Sequence, residues 1–263
     1  VALIQGFVHE HGKTAPHLVL RRNAVEQQVN NGKKALIVDS NLFLAYDSGN
    51  VNRYLRYSFN GVFPTTGFYF DTDVDPNRWT KISSKLGIQM KPWRTSGNHI
   101  LVCLQRNGGW SMKGLDNQDW ARDVITRIRQ FSDRPIIIRG HPGDRRAGKY
   151  LNPKEKAYKL HGLDNVHISD RLNRSLQMDL NNAWCTVVYN SSPAVASAIE
   201  GIPVFVDDPI DCQAQDVCNS DIANIEMPDV FDRELWLQKL SMCHWNFDEL
   251  TSGEAWEHMR KYV

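Results

Sequence analysis

Arg139-Gly140-His141-Pro142-Gly143 and Tyr189-Asn190-Ser191-Ser192-Pro193 decide how this chain of 263 residues is read. Each follows an apolar run of strand length, Pro135 to Ile138 and Thr186 to Tyr189, and so falls at the carboxyl end of a predicted buried strand. That is where an open α/β sheet forms its crevice. A histidine at one strand end and paired serines at another, with a helix starting behind them, offer imidazole N–H, hydroxyls and free backbone N–H groups to anionic oxygens. The set suits a nucleotide diphosphate.

Around these two stretches the pattern is regular. Predicted strands at Ile100 to Leu104, Pro135 to Arg139, Asn165 to Ser169, Thr186 to Tyr189 and Pro203 to Val206 are interleaved with helices at Asp119 to Phe131, Arg174 to Ala183 and Pro193 to Glu200. Such alternation implies a doubly wound parallel sheet. Upstream, Ala2 to Val8, His17 to Asn31 and Lys34 to Asp39 read as a β-α-β start, while residues 40–97 read as aromatic loops and short helices. Amphipathic stretches at Arg233 to His244 and Gly253 to Tyr262 close the chain. The expected division is 1–97, 98–230 and a helical segment 231–263 that packs back across the domains.

Composition narrows the class. No run approaches the roughly 18 to 20 apolar residues of a membrane span, and Val1 to Val8 lacks the basic start and cleavage site of a signal peptide. The first residue is Val, not Met, which points to a trimmed or processed N-terminus. Five cysteines without a CxxC point to reduced thiols in a cytoplasmic protein, and zinc is not expected. The net charge of +1 conceals a split: residues 1–150 hold 22 Lys+Arg against 12 Asp+Glu, and residues 151–263 hold 9 against 18. Either the first part faces an anionic partner or the two halves attract each other.

A basic residue and His-Pro after one strand, Ser-Ser after a later one, a small-residue helix and then Glu200-Gly201-Ile202-Pro203-Val204 together resemble the nucleotide-binding domain of GT-B glycosyltransferases. The pattern is most similar to bacterial sialyltransferases, capsule-type sugar transferases and teichoic-acid polymerases, over roughly residues 98–230. The resemblance implies two Rossmann-like domains facing a cleft. It also implies a UDP-sugar or CMP-sugar donor held by His141, Ser191 and Ser192, with Arg139 as the basic residue of the motif. An acidic residue early in the helix before Gly-x-Pro binds ribose in many of these enzymes; here the helix has only small residues until Glu200, the remaining candidate.

The residues themselves extend that list. In Gln105-Arg106-Asn107-Gly108-Gly109, Arg106 can pair with a pyrophosphate while Gly108 and Gly109 let backbone N–H groups approach, although a plain Gly-Gly turn reads equally well. For a general base that activates an acceptor hydroxyl, His9, Glu10 and His11 follow the first strand; Asp71 and Asp47 are further candidates. Asp71-Thr72-Asp73 is similar to the DxD element that holds Mg²⁺ or Mn²⁺ in GT-A enzymes, but three residues match easily by chance, so a turn is the default and no metal is required.

The expected activity is transfer of a sugar from a nucleotide sugar to a hydroxyl. The basic first half, with Arg53, Arg56, Arg145 and Arg146 as contacts, suits duplex DNA with hydroxymethylated pyrimidines, as in the bacteriophage DNA glycosyltransferases, which would place the protein in the host cytoplasm. The alternatives are a capsule or lipopolysaccharide glycan as acceptor, or a nucleotide- or DNA-binding module without catalysis.

Overall fold

The first strand, β1 (Ala2–Gln5), pairs in parallel with β2 (Ala35–Ser40), and α1 (Pro16–Asn30) joins them. Pro16 opens the helix, and Gly32, at φ 65°, takes the left-handed turn that ends it. The chain is seen here as a computed structural model that describes residues 1–6 and 15–263. Residues 40–97 hold more regular structure than expected. They contain β3 (Tyr54–Phe59), antiparallel to β2, and α2 (Pro76–Leu86), capped by the Asp75 carboxylate and closed by Gly87 at φ 65°.

Five strands follow: β4 (His99–Cys103), β5 (Ile136–Arg139), β6 (Val166–Ile168), β7 (Ala183–Val188) and β8 (Val204–Val206). Between them run α3 (Asn117–Ile128), the short α4 (Ala147–Tyr150) and α5 (Leu176–Leu180), and α6 (Pro193–Ile199). Every pairing in this sheet is parallel, in the order β6-β5-β4-β7-β8. The chain therefore winds outward from β4 to one side, returns, and winds to the other, so the order reverses between β4 and β7. The strands are apolar on both faces, as a covered parallel sheet requires: Ile100, Val102, Ile136, Ile138, Val187 and Phe205 pack with Trp120, Val124 and Ile128 of α3.

The chain ends with α7 (Glu234–Ser241), β9 (His244–Asn246), α8 (Phe247–Thr251) and α9 (Glu254–Met259). Because β9 pairs with β3, this stretch completes the first sheet, in the order β1-β2-β3-β9. Two compact units result, Val1–Gln89 with Asp232–Val263, and Met90–Phe231. The second has the doubly wound parallel sheet read from the sequence. In the first, expected to be Rossmann-like, the sheet is mixed, with one parallel pair and two antiparallel ones. Its core joins Leu36, Tyr57 and Phe59 to Trp245, Ala255 and Met259.

No helix among the described residues is long and apolar enough to cross a membrane. The five cysteines are free, and burial pushes the thiols of Cys103, Cys212 and Cys243 up to about 12. Gly201 closes α6 at φ 73°, where a Cβ would lie 2.0 Å from the Pro92 carbonyl oxygen. Gly201→Ala is expected to cost about 1–2 kcal/mol from the left-handed backbone alone, and more from that collision, as read by urea unfolding.

Candidate functional site

Three loops leave the carboxyl ends of adjacent strands: Gln105 onward after β4, Gly140 onward after β5 and Tyr189 onward after β7. The strand order puts them side by side at the point where the winding reverses, so His141 and Ser191 flank the loop of Arg106. Ligands of open α/β sheets bind at such a point.

Arg106 and His141 meet over Gly143. A Cβ on that glycine would lie 2.8 Å from Arg106 Nη2 and 3.1 Å from His141 Cε1, so only a glycine leaves the space the two side chains fill. The Gly143 backbone N–H donates to His141 Nδ1 at 3.0 Å. Nδ1 is then the acceptor nitrogen, and in the neutral ring Nε2 carries the proton. Burial first, and then the positive charges of Arg106 and Arg171, pushes the imidazole below its ordinary pKa, against a smaller opposing pull from Asp144. The group at the β5 loop is a neutral imidazole with its Nε2–H available as a donor.

Asp144 knits the β4 and β5 loops together. Its carboxylate accepts from Asn107 N at 2.9 Å, Arg146 N at 2.9 Å and the Tyr150 hydroxyl at 3.0 Å. Burial would raise its pKa, but these hydrogen bonds and the charge of Arg146 outweigh it and hold the carboxyl below the usual range. Gly108, at φ 67°, and Gly109, whose N–H donates to the Arg106 carbonyl at 3.0 Å, form the tight turn beside it.

At the β7 loop the serines do not cap α6. Ser192, at the N-cap position, makes no side-chain capping bond, and the buried Ser191 Oγ has no hydrogen-bond partner among the described residues. A buried hydroxyl left unpaired is an exception in native structures. A polar chain missed by sequence reading supports this loop. Gln105 Nε2 donates to Asn190 Oδ1 at 2.8 Å, and Asn190 Nδ2 donates to Asp208 Oδ2 at 3.0 Å. Lys113, held at φ 50°, pairs with Asp208 at 2.7 Å and Asp211 at 2.8 Å. The signal for Gln105 and Asn190 was their position, since each is the first strongly polar residue after a buried apolar strand.

No family model matches the chain, and no curated protein matches it. Its fold has solved counterparts. The chain is similar to Thermosulfurimonas dismutans KpsC, beta Kdo 2,4 transferase, with a TM-score of 0.55 and 12% identity over 94% of this chain and 85% of that one. It is also similar to Thermosulfurimonas dismutans KpsC, beta Kdo 2,7 transferase, with a TM-score of 0.51 and 12% identity over 95% of this chain and 96% of that one. At such identity the KpsC likeness is one of fold.

Within that fold, several sequence candidates take other places. Arg139 is buried, paired with Asp179 and donating to the Arg174 carbonyl, so its guanidinium is occupied within the protein. Glu200 stands at the far end of α6 from Ser192, about 10 Å along a helix of that length, and pairs with Lys91. Arg56 is buried and paired with Asp39 at 3.0 Å, which removes it from any contact surface. Arg53 lies in the first unit, while Arg145 and Arg146 lie in the second, where Arg146 Nη2 donates to the Asn107 carbonyl.

Asp71 follows Phe70, whose ring packs 4.9 Å from Phe59. Phe59 pairs with Leu36 at the start of β2, so Asp71 lies toward the end of the sheet where β1 and β2 begin, not the end where they finish. Asp47 is buried, accepting from Asn41 Nδ2 and Tyr54 N. His9, Glu10 and His11 fall outside the described residues. No cluster of metal-ligating side chains occurs among the described residues, and Asp71 and Asp73 form none.

The charge split also dissolves in the fold. Counted by compact unit, the first holds 14 Lys+Arg against 13 Asp+Glu and the second 17 against 17. The excess seen by cutting at residue 150 belongs to neither.

Proposed function

We propose that the protein is a glycosyltransferase that takes a sugar from a nucleotide-activated donor and adds it to a hydroxyl of a capsule-type or lipopolysaccharide glycan. One observation carries the reading: Arg106, a neutral His141 and the unpartnered Ser191 Oγ stand on three adjacent strand ends where the winding reverses. The donor's phosphate would lie among them. As the acceptor oxygen attacks the anomeric carbon, the bond from that carbon to the phosphate oxygen breaks, and the phosphate keeps the electron pair. His141 Nε2–H, the Arg106 guanidinium and the Ser191 hydroxyl stabilise the developing anion. The acceptor proton passes to a base, for which His9, Glu10 and His11, which follow the first strand in the sequence, are the candidates.

The glycan acceptor is favoured over DNA because each unit is balanced in charge, whereas duplex DNA is held chiefly through phosphate neutralisation by excess cations. The structural neighbours, transferases of Kdo by their names, support a glycan in the same way. They also make Kdo the first sugar to test.

A nucleotide that binds only the folded protein must stabilise it, by about 2.7 kcal/mol at a hundred times its Kd. Melting with CMP, UDP and the other common nucleotides at millimolar levels is expected to single out one base. No shift with any of them would overturn the donor reading. Transfer from the matching nucleotide sugar to hydroxymethylated DNA but not to glycan would reverse the choice of acceptor.

A further inference from the structure

The first unit contains a cavity of about 350 Å³ where the start of α2, β9 and α9 come together, within the roughly 300–1,000 Å³ typical of small-ligand sites. Two polar atoms of its lining residues, Arg78 Nε and His258 Nε2, are buried without a hydrogen-bond partner among the described residues. Arg78 is 5% exposed, and its guanidinium stacks 3.8 Å from the centre of the Trp245 ring. Unpaired buried groups are uncommon, and two of them on residues that line one cavity point to an occupant toward which these side chains turn.

The chemistry of the wall selects the occupant. His258 is bonded to the Phe70 carbonyl, which leaves Nε2 as a lone-pair acceptor, and burial followed by the charge of Lys261 keeps the ring neutral by lowering its pKa. Asp73 and Lys261 are exposed at the rim and make no ion pair among the described residues. Acceptors and donors thus both line the cavity, with Met242 and Trp245 as its apolar part. The lining carries three carboxylates, Asp73, Asp75 and Glu254, against three cations, Arg78, Lys81 and Lys261, so neither an anion nor a cation is favoured. A group whose hydroxyls each donate and accept, with C–H faces for the apolar wall, matches this arrangement.

We infer that this cavity binds an uncharged sugar ring, with hydroxyls donating to Asp73 and His258 Nε2 and accepting from Lys261 and Arg78 Nε. The site lies wholly in the first unit and stands whether or not the second binds a nucleotide. It gives the DxD-like Asp73 a role as a hydroxyl acceptor without a metal.

The test is saturation-transfer NMR on the full chain with glucose and galactose, beside glucuronate and glucosamine as the anionic and cationic counterparts. The neutral sugars are expected to bind. Asp73→Ala and Lys261→Ala, both at exposed positions, are expected to weaken them about tenfold each, the scale of a lost hydrogen bond to a charged group, with melting temperature and nucleotide response unchanged. Absence of transfer to glucose and galactose, a preference for either charged sugar, or affinity in both variants as high as in the unaltered protein would overturn the inference. His258→Phe serves as a third variant; if it fails to fold, the two rim variants still decide.

Discussion

His141→Ala is expected to lower the rate of sugar transfer about 10²–10³-fold, the scale of removing one fixed donor to a developing anion, with the fold intact. Among the described residues, the one hydrogen bond of this ring is that from Gly143 N, in an exposed turn. His141→Asn separates the two roles. Its side-chain oxygen can still accept the N–H of the residue two positions on, so the turn persists while the Nε2–H donor is gone. Equal loss of activity in both variants, at unchanged melting temperature, is the expected result. Full activity in His141→Asn would reduce His141 to a turn former. Because the folded pKa lies below the ordinary 6.5, the ring stays neutral to more acidic pH than a free histidine, and activity should hold as pH falls past 6.5 before it declines.

The second unit was legible in the sequence because its strands are buried on both faces. Ile100 to Leu104 and Thr186 to Tyr189 are uninterrupted apolar runs, and turn chemistry brackets each. In the first unit the same rules failed at β3. Tyr-Leu-Arg-Tyr-Ser-Phe does not alternate as a half-buried strand should, because Arg56 and Ser58 are themselves buried, one paired with Asp39 and the other with the Gly61 carbonyl. Arg56 meets Asp39 on the neighbouring strand and Ser58 meets a carbonyl three residues on, and such pairing offsets burial in a way that periodicity cannot register. The three-residue β9 is too short to register as a strand, and its first residue, His244, reads as the end of the preceding amphipathic stretch. By contrast, Asp75, Pro76 and Gly87 announced both ends of α2, and the aromatic surroundings obscured them.

At the candidate site, the sequence located the loops but not the duties of their side chains. Arg139 and Arg106 stand equally close to strand ends, yet one guanidinium is buried against Asp179 and the other lies over Gly143. Which carboxylate an arginine meets is decided by long-range packing. The charge argument failed for a related reason: the chain returns to the first unit after residue 231, bringing 6 acidic residues back to the basic-looking start.

Acid should unfold the first unit in two stages. His244 is fully buried, its Nε2 accepting from Leu42 N at 3.0 Å and its Nδ1 bonded to the Leu240 carbonyl at 2.7 Å, and burial pushes its pKa down to about 3. The unfolded chain takes up that proton near 6.5 and the folded one only near 3, so the stability it contributes is whole above 6.5 and falls as pH drops through that window. His258, in the same unit, is shifted the same way and adds to the decline. Glu249 follows at lower pH. Burial would raise its pKa, but Arg78, at 2.6 and 2.8 Å, the Asn246 N–H and Lys81 together lower it from 4.5 to about 2. Its contribution is present above 4.5 and lost as pH falls toward 2. Each unit of pKa difference corresponds to about 1.4 kcal/mol, so the slope of stability against pH should begin near 6.5 and steepen below 4.5. Glu249→Gln leaves Arg78 buried beside a neutral group, at a cost of about 3–5 kcal/mol, and removes the second stage while keeping the first. Urea unfolding from pH 8 to 3 reads both. A flat profile between 6.5 and 4, or an unchanged midpoint in Glu249→Gln, would show that these buried groups do not set the acid limit.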